Sequence, residues 1–481
     1  MNILAKFPKH LKPRDVQKDA LIQYEESKGL ADVTVIRLPV ASGKSAIAMT
    51  IAKHEKQASV IVPTNLLVDQ YLKEFGGYLH NLKAKKDYYC STYKCSVKER
   101  PQTKESGKLC PDSAPCKGCF NYRKDLKKAR VMPINLANYY IYMTHRLHQP
   151  TLIVDEAHKL IPMLQSMAAR RVWQHQIGYP GTITTREQFR DWANNHPNVE
   201  IPEKIRDDLN SRRPKFLFSR TSAPLRGVDR DCIEMLPLDL RDEPPFLWPA
   251  KVKRIVLMSA TISRKDIEQL GLSGRKVVYI DADSPISSEN RPVWTAPGGG
   301  ENMSTSYQSS SIPHFIEYCQ EVSRHHEGEK GLIHCTYNLS SKLQVGGLTG
   351  SRFLFHTKDA EDKAAQYRKF RESKDDLVLI ACGMYEGLDL PYDAGRWQIV
   401  GKVPWPYLGE PATKFKADQD PEFYAWEAIK VVLQACGRIC RTLDDYGITY
   451  IYDSTFVRLY KDPKFRDLFP KWFRDSVRIL E

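Results

Sequence analysis

Gly43-Lys44-Ser45 is the tripeptide in this chain best suited to grip a phosphate. It follows a short β-branched run at 33–36 and leads into a helix-forming run at 45–52, the strand–loop–helix setting that a phosphate loop requires. Backbone N–H groups at the start of such a helix can cradle phosphate oxygens. Lys44 would then reach the β/γ-phosphates and the Ser45 hydroxyl would bind Mg²⁺. Leu38 stands where the pattern usually has its first glycine, so the tripeptide alone also fits an ordinary strand–turn–helix.

A pair of carboxylates strengthens the nucleotide reading. Asp155 and Glu156 follow the strand-like run 151–154, which puts both acids at the carboxyl end of a buried strand, where ligands gather in open α/β sheets. Asp155 can hold Mg²⁺ through water, and Glu156 can orient an attacking water or take its proton. Adjacent acids after a strand also suit a helix N-terminus, which is the plainer alternative.

Five of the eleven cysteines, Cys90, Cys95, Cys110, Cys116 and Cys119, fall between these two groups. The segment 83–130 around them holds 14 Lys and Arg against five Asp and Glu, nine of the net +14 of the whole chain. A cysteine cluster without a secretory leader is more often a metal site than a disulfide framework, and four thiolates suit tetrahedral zinc or an iron–sulfur cluster equally. The basic excess favours a polyanionic partner, because each phosphate neutralised releases counterion. Tyr88, Tyr89, Tyr93 and Tyr122 could stack on bases, although core packing suits any one of them as well.

The elements that must position these groups alternate. Short apolar runs at 33–36, 59–62, 151–154, 254–258 and 277–280 read as strands separated by helices, implying a parallel sheet covered on both faces. A second such series lies at 331–334, 376–381, 397–400 and 447–452. Between 169 and 248 the chain is polar, with scattered aromatics and few strand signals, and reads as a small helical insertion. The Ser-, Pro- and Gly-rich stretch 284–311 reads as a connection between domains. A length of 481 residues implies two or three domains, and a mean hydropathy of −0.48 with no long apolar run excludes a membrane-spanning chain. The opening residues lack the apolar stretch of a secretory signal, so a cytoplasmic location is expected.

Asp155-Glu156-Ala157-His158, with Ser259-Ala260-Thr261 downstream, resembles motifs II and III of superfamily 2 helicases, and the cysteine insertion is similar to that of the XPD/DinG iron–sulfur branch. Arg14 and Gln17 match the spacing of the family's adenine-reading motif, and Pro63-Thr64-Asn65 looks like motif Ia, in which Thr64 would touch a DNA backbone. The run 382–391 resembles motif V, with Glu386 and Gly387 toward nucleic acid and Asp389 toward the nucleotide. Gln434 to Arg441 resembles motif VI; on a helix, Gln434, Arg438 and Arg441 would share one side, and that side would close on ATP held by the first domain.

The resemblance implies an α/β protein with two RecA-like parallel-sheet motor domains. The first would comprise 1–82, 131–168 and 249–284, interrupted by the cysteine-rich insertion 83–130 and a reduced, helical arch-like insertion at 169–248; the second would be 285–481. It further implies ATP and Mg²⁺ as cofactors, with a [4Fe–4S] cluster on Cys90, Cys110, Cys116 and Cys119, zinc being the rival and Cys95 the spare. The expected activity is 5′-to-3′ DNA unwinding on single-stranded and forked DNA by a monomer, in a compact chain of a size compatible with viral origin. The shortened arch motivates one alternative, an ATPase that clamps or remodels nucleic acid without processive unwinding.

Overall fold

The computed structural model describes residues 2–39, 42–83, 87–91, 94–97, 117–211, 216–225, 228–237, 239–242, 248, 251–385, 388 and 390–480. The chain divides into two compact units, Met1–Arg37 with Lys44–Ile280, and Leu38–Gly43 with Asp281–Glu481.

The first unit contains strands β1 (Val33–Arg37), β2 (Ala58–Val62), β3 (His80–Asn81), β4 (Tyr89–Cys90), β5 (Cys95–Ser96), β6 (Ile134–Asn138), β7 (Thr151–Asp155), β8 (Arg170–Trp173), β9 (Phe216–Leu225), β10 (Val228–Pro237), β11 (Arg254–Ser259) and β12 (Val277–Asp281). Seven of them form one sheet in the order β12-β1-β11-β7-β2-β6-β3. Pairing is parallel from β1 through β11, β7, β2 and β6 to β3. Every residue of β2 and β7 is buried, as expected of strands covered on both faces. The helices that matter for the site are α1 (Asp15–Ser27), α2 (Lys44–Glu55), α3 (Asn65–Phe75), α4 (Lys117–Val131) and α5 (Tyr139–His145). Ala46 through Ala52 of α2 are all buried, so this helix is held from every side as it leaves the phosphate loop.

Strands β6 and β3 carry no clear apolar run, and sequence reading passes over both. Asn135 of β6 is buried; its amide nitrogen donates to the Leu147 carbonyl, while its Oδ1 finds no partner among the described residues.

The 169–248 stretch, expected to be helical, departs from that reading. It holds helices but also a three-stranded antiparallel sheet, β8-β10-β9, in which β9 and β10 form a hairpin of two ten-residue strands. Phe216 and Phe218 on β9, and Ile233 and Met235 on β10, alternate onto one face and pack with Val172, Tyr179 and Phe189. The same phase continues into Arg220, Asp229 and Asp231, while Leu217, Cys232 and Leu236 occupy the opposite one, which obscures the alternation in the sequence.

The second unit has strands β13 (Val293–Thr295), β14 (Gly331–Cys335), β15 (Phe353–Leu354), β16 (Val378–Cys382), β17 (Trp397–Val400), β18 (Ile448–Ile451) and β19 (Val477–Arg478), in the order β15-β16-β14-β17-β18-β13-β19. β13 lies inside the stretch expected to be a plain connection; it pairs in parallel with β18 and β19. The connection is therefore structural. Helix α6 (Pro421–Cys436) carries Gln434 in its last turn.

Candidate nucleotide site

β1, β7 and β11 are neighbours, and their carboxyl ends carry the phosphate loop, Asp155 and Ser259. Gly43 adopts a φ of 71°, a left-handed conformation that glycine takes without steric cost. Ser42 is buried and donates its hydroxyl to the Pro39 carbonyl at 2.7 Å, which closes the turn on itself. α2 then begins at Lys44, with Ser45 in its first turn. Val40 and Ala41 lie outside the described residues.

Asp155 is buried at the end of β7. Its Oδ1 accepts from the Glu156 N–H at 2.9 Å and its Oδ2 accepts from the Tyr71 hydroxyl at 2.7 Å. Burial and the adjacent Glu156 charge push its carboxyl up to about 6, while Lys44 and the Tyr71 bond act the other way. Burial also opposes ionisation of Glu156, but Lys44 and a contact from His158 outweigh it and bring that carboxyl down to about 2. Lys44 therefore stands close enough to both acids to bias their charge. Burial and their mutual repulsion work against charging both acids, and the Lys44 charge favours it.

Glu156 has a φ of 50°, a conformation uncommon for a non-glycine residue and found where function holds the backbone under strain. Tyr139 of α5 holds that turn by donating its hydroxyl to the carbonyls of Asp155 (2.7 Å) and Glu156 (3.1 Å). His158 Nδ1 lies 3.3 Å from Glu156 and 2.9 Å from the Ser259 hydroxyl, tying the acidic box to the end of β11. Ser259 Oγ in turn accepts from the Thr261 N–H at 3.1 Å.

Sequence reading missed Tyr71 and Tyr139. No local pattern marks either, since each acts on residues brought to it by packing.

The remaining expected residues are distributed as follows. Gln17 is buried in the first turn of α1, where its side-chain oxygen accepts from the Arg14 N–H at 2.9 Å. Thr64 is exposed at the carboxyl end of β2 and caps α3, accepting from the Leu67 N–H at 3.3 Å. Glu386, Gly387 and Asp389 lie outside the described residues, as do Cys110 and Cys116.

The shared helical face expected for Gln434, Arg438 and Arg441 is not formed. α6 ends at Cys436 with Gly437 as its cap, and Ile439 then bridges to Leu390. Cys440 is left-handed (φ 56°), which completes the departure from the helix. The arginines are fixed by backbone oxygens instead: Arg438 donates to the carbonyls of Gln434 (2.8 Å) and Leu388 (3.1 Å), and Arg441 to that of Gly437 (2.8 Å).

Comparison with known proteins agrees with this geometry. The type III restriction enzyme res subunit family matches residues 10–177, and the helicase C-terminal domain family matches 333–476. A solved XPD helicase structure is similar over 98% of this chain and all of its own, at 12% identity and a TM-score of 0.62. The structure of Xpd4 from S. tokodaii is similar over 97% of this chain and all of its own, at 12% identity and a TM-score of 0.58. The fold is that of the XPD helicase structures. Its two parallel sheets are the RecA-like pair of that fold.

Among curated relatives, the XPD/RAD3 helicase subunit of the general transcription and DNA repair factor IIH of Saccharomyces cerevisiae is 25% identical over 138 residues, 26% of this chain and 17% of its own length. A regulator of telomere elongation helicase 1 homolog of Drosophila sechellia is 31% identical over 126 residues, 23% of this chain and 13% of its own. These matches thus span under a fifth of the relatives' length. Among the described residues, no helix is long and apolar enough to cross a membrane.

Proposed function

We propose that this chain is an ATP-dependent DNA helicase that moves 5′-to-3′ on single-stranded DNA and opens forked duplexes. The observation that carries the reading is the meeting of Lys44, Asp155 and Glu156 at the carboxyl ends of neighbouring strands, with His158 tied to Ser259. Lys44 would neutralise the β/γ-phosphates, Ser45 and Asp155 would hold Mg²⁺, and the ionised Glu156 would orient water for attack. Mg²⁺, when bound, supplies the positive charge that lets Asp155 ionise fully. Arg14 and Gln17 as base readers, and Arg438, Arg441 and Gln434 as transition-state partners, enter the reading on the family resemblance. Thr64, exposed beside the α3 N-terminus, is the described candidate for a phosphate contact with the strand.

A thiolate-bound metal centre on the 83–130 insertion is part of the reading. The resemblance offers a [4Fe–4S] cluster on Cys90, Cys110, Cys116 and Cys119. The described part suits a metal centre in one respect. Cys90 is buried, and α4 approaches it so closely that a Cβ on Gly118 would overlap the Tyr89 carbonyl oxygen. Among the described residues no group of three or more ligating side chains is gathered.

The test is DNA-stimulated ATP hydrolysis measured beside strand displacement on 5′-tailed and 3′-tailed duplexes. Both activities are expected, displacement only with the 5′ tail, and both lost in Lys44→Ala and Glu156→Gln. Hydrolysis without displacement would favour the remodelling ATPase instead, and unchanged turnover in either variant would remove the site assignment.

A further inference from the structure

The nucleotide site occupies the carboxyl ends of β1, β11 and β7, and a separate cavity opens at the opposite end of the same strands. Lys276, Asp32, Arg254 and Thr151 stand at the amino ends of β12, β1, β11 and β7, which are consecutive in the sheet. Together with the turn 28–31 that follows α1, they line a cavity of about 270 Å³. Strands of five and six residues, at about 3.3 Å per residue, put it roughly 15–20 Å from the phosphate loop on the far side of a packed sheet.

Two of the cations around the cavity are structural. Lys28 Nζ meets Glu55 Oε1 at 2.7 Å, Arg254 reaches the same carboxylate at 3.2 and 3.3 Å, and the Tyr24 hydroxyl donates to it at 2.9 Å. Arg254 also donates to the Lys28 carbonyl at 2.9 Å. Burial opposes ionisation of Glu55, but the bonds from Lys28 and Tyr24 and the Arg254 charge outweigh it and hold the carboxyl below its ordinary value. These contacts fasten the ends of α1 and α2 to the start of β11 and give the cavity a fixed wall.

The other two cations have no such duty. Lys253 and Lys276 are exposed and meet no carboxylate within ion-pair distance among the described residues. Their backbones are nonetheless fixed: the Lys253 N–H donates to the Pro150 carbonyl at 2.9 Å, and the Lys276 carbonyl accepts from the N–H groups of Asp32 (3.0 Å) and Val33 (3.1 Å). Two N–H donors are left over as well. The Gly29 N–H has no acceptor among the described residues, and nothing lies within 4 Å of where a Cβ on Gly29 would stand, so its backbone is open to a ligand. Arg254 Nε is buried without an acceptor among the described residues, and such a donor marks a place for water or an ion.

The lining carries four positive charges, Lys28, Lys253, Arg254 and Lys276, against two negative, Asp32 and Glu55, which leaves +2. A terminal phosphate carries about two negative charges near neutral pH and offers several acceptor oxygens, which matches both the excess charge and the donors. A phosphodiester or a carboxylate brings one charge and leaves half the excess unmatched.

We propose that this cavity is a second anion site of the first unit, distinct from the nucleotide loop, and that it binds a phosphate dianion, with Lys253 and Lys276 meeting its charge and the Gly29 N–H as a further donor. The site is independent of the nucleotide chemistry at Lys44.

The test is calorimetric titration of full-length protein carrying Lys44→Ala, which weakens phosphate binding at the nucleotide loop, with inorganic phosphate and phenyl phosphate as separate probes at low ionic strength. About one phosphate per chain is expected to bind, with affinity roughly tenfold or more weaker once Lys253→Ala and Lys276→Ala are added together. Both lysines are exposed, so the melting temperature in phosphate-free buffer should stay within about 2 °C. Sulfate, also a dianion, should compete, and acetate should not. Binding of inorganic phosphate alone assigns the site to the free ion; binding of phenyl phosphate as well assigns it to the terminal phosphate of a larger molecule. Binding of neither probe, or affinity unchanged by the double substitution, overturns the proposal. So does single-stranded DNA that binds more weakly to the double variant while neither probe binds, since the edge is then a nucleic-acid surface. Each of those results leaves the helicase reading standing, because that reading is judged on hydrolysis by protein with Lys44 intact.

Discussion

Tyr71 donates its hydroxyl to Asp155 Oδ2 at 2.7 Å, and the Tyr71 hydroxyl oxygen also hydrogen-bonds with the Ser45 side chain. The phenol thus joins the two groups expected to hold Mg²⁺. Burial and the Asp155 charge raise its own pKa well above the usual tyrosine value, so it stays protonated and can only donate to the carboxylate.

Removing that donor with Tyr71→Phe leaves a buried carboxylate short of a partner, a loss of about 1–3 kcal/mol. Mg²⁺ can restore much of it, so the effect should appear as a metal requirement. The Mg²⁺ concentration for half-maximal hydrolysis is expected to rise roughly tenfold, with turnover at saturating Mg²⁺ within about threefold of the parent. An unchanged Mg²⁺ titration would mean that Tyr71 only packs.

Tyr139 acts on the backbone rather than on a side chain. Its two bonds hold the carbonyls on either side of the left-handed Glu156. Tyr139→Phe should therefore release the turn that aims the Glu156 carboxylate. Turnover is expected to fall roughly 10- to 100-fold while the nucleotide KM moves less than threefold, the split of a group that matters to attack and not to binding. A matching rise in KM would assign Tyr139 to nucleotide binding instead.

The contrast between what the sequence displayed and what it concealed follows from these contacts. β2 and β7 are legible because strands covered on both faces need unbroken apolar runs, and Gly43-Lys44-Ser45 and Asp155-Glu156 sit where such elements end. Tyr71 lies 84 residues from Asp155, and only the packing of α3 brings the two together. The hairpin of β9 and β10 hides because Arg220, Asp229 and Asp231 share the phase of its core-facing residues and Leu217, Cys232 and Leu236 take the other, so neither phase reads as uniformly apolar. Motif VI misleads differently: its spacing suits a helix, but Gly437 caps α6 and backbone pairing through Ile439 takes the chain elsewhere.

Gly118 offers a way to disturb the insertion without touching a thiol. A Cβ there would stand far inside contact distance of the Tyr89 carbonyl oxygen, a backbone atom that cannot swing aside. Gly118→Ala should prise α4 from the hairpin, so that trypsin cleaves at the Lys and Arg residues of α4 at least tenfold faster than in the parent. Bound metal is expected to fall in parallel, while nucleotide binding at Lys44 persists. Parent-like resistance to trypsin would show that the approach of α4 to Tyr89 is not required.

His334 makes the second unit sensitive to acid. It is buried on β14 in a polar row that crosses three strands: its Nε2 meets Gln398 Oε1 at 3.1 Å, and Gln398 donates to Thr449 at 2.8 Å. Burial, with the Arg438 charge nearby, pushes the imidazole down to about 4 from an ordinary 6.5, against the opposing bond to Gln398. The folded state therefore refuses a proton that the unfolded chain accepts. Stability from this group is complete above about pH 6.5 and is lost as pH falls from there towards 4, by roughly 2 kcal/mol between pH 7 and 5 and about 3 kcal/mol in all. Denaturant unfolding of the parent and of His334→Gln at both pH values isolates the contribution, because Gln cannot titrate. The parent should lose roughly 2 kcal/mol more than the variant on going from pH 7 to 5. Equal losses would place the acid sensitivity of the second unit in other groups.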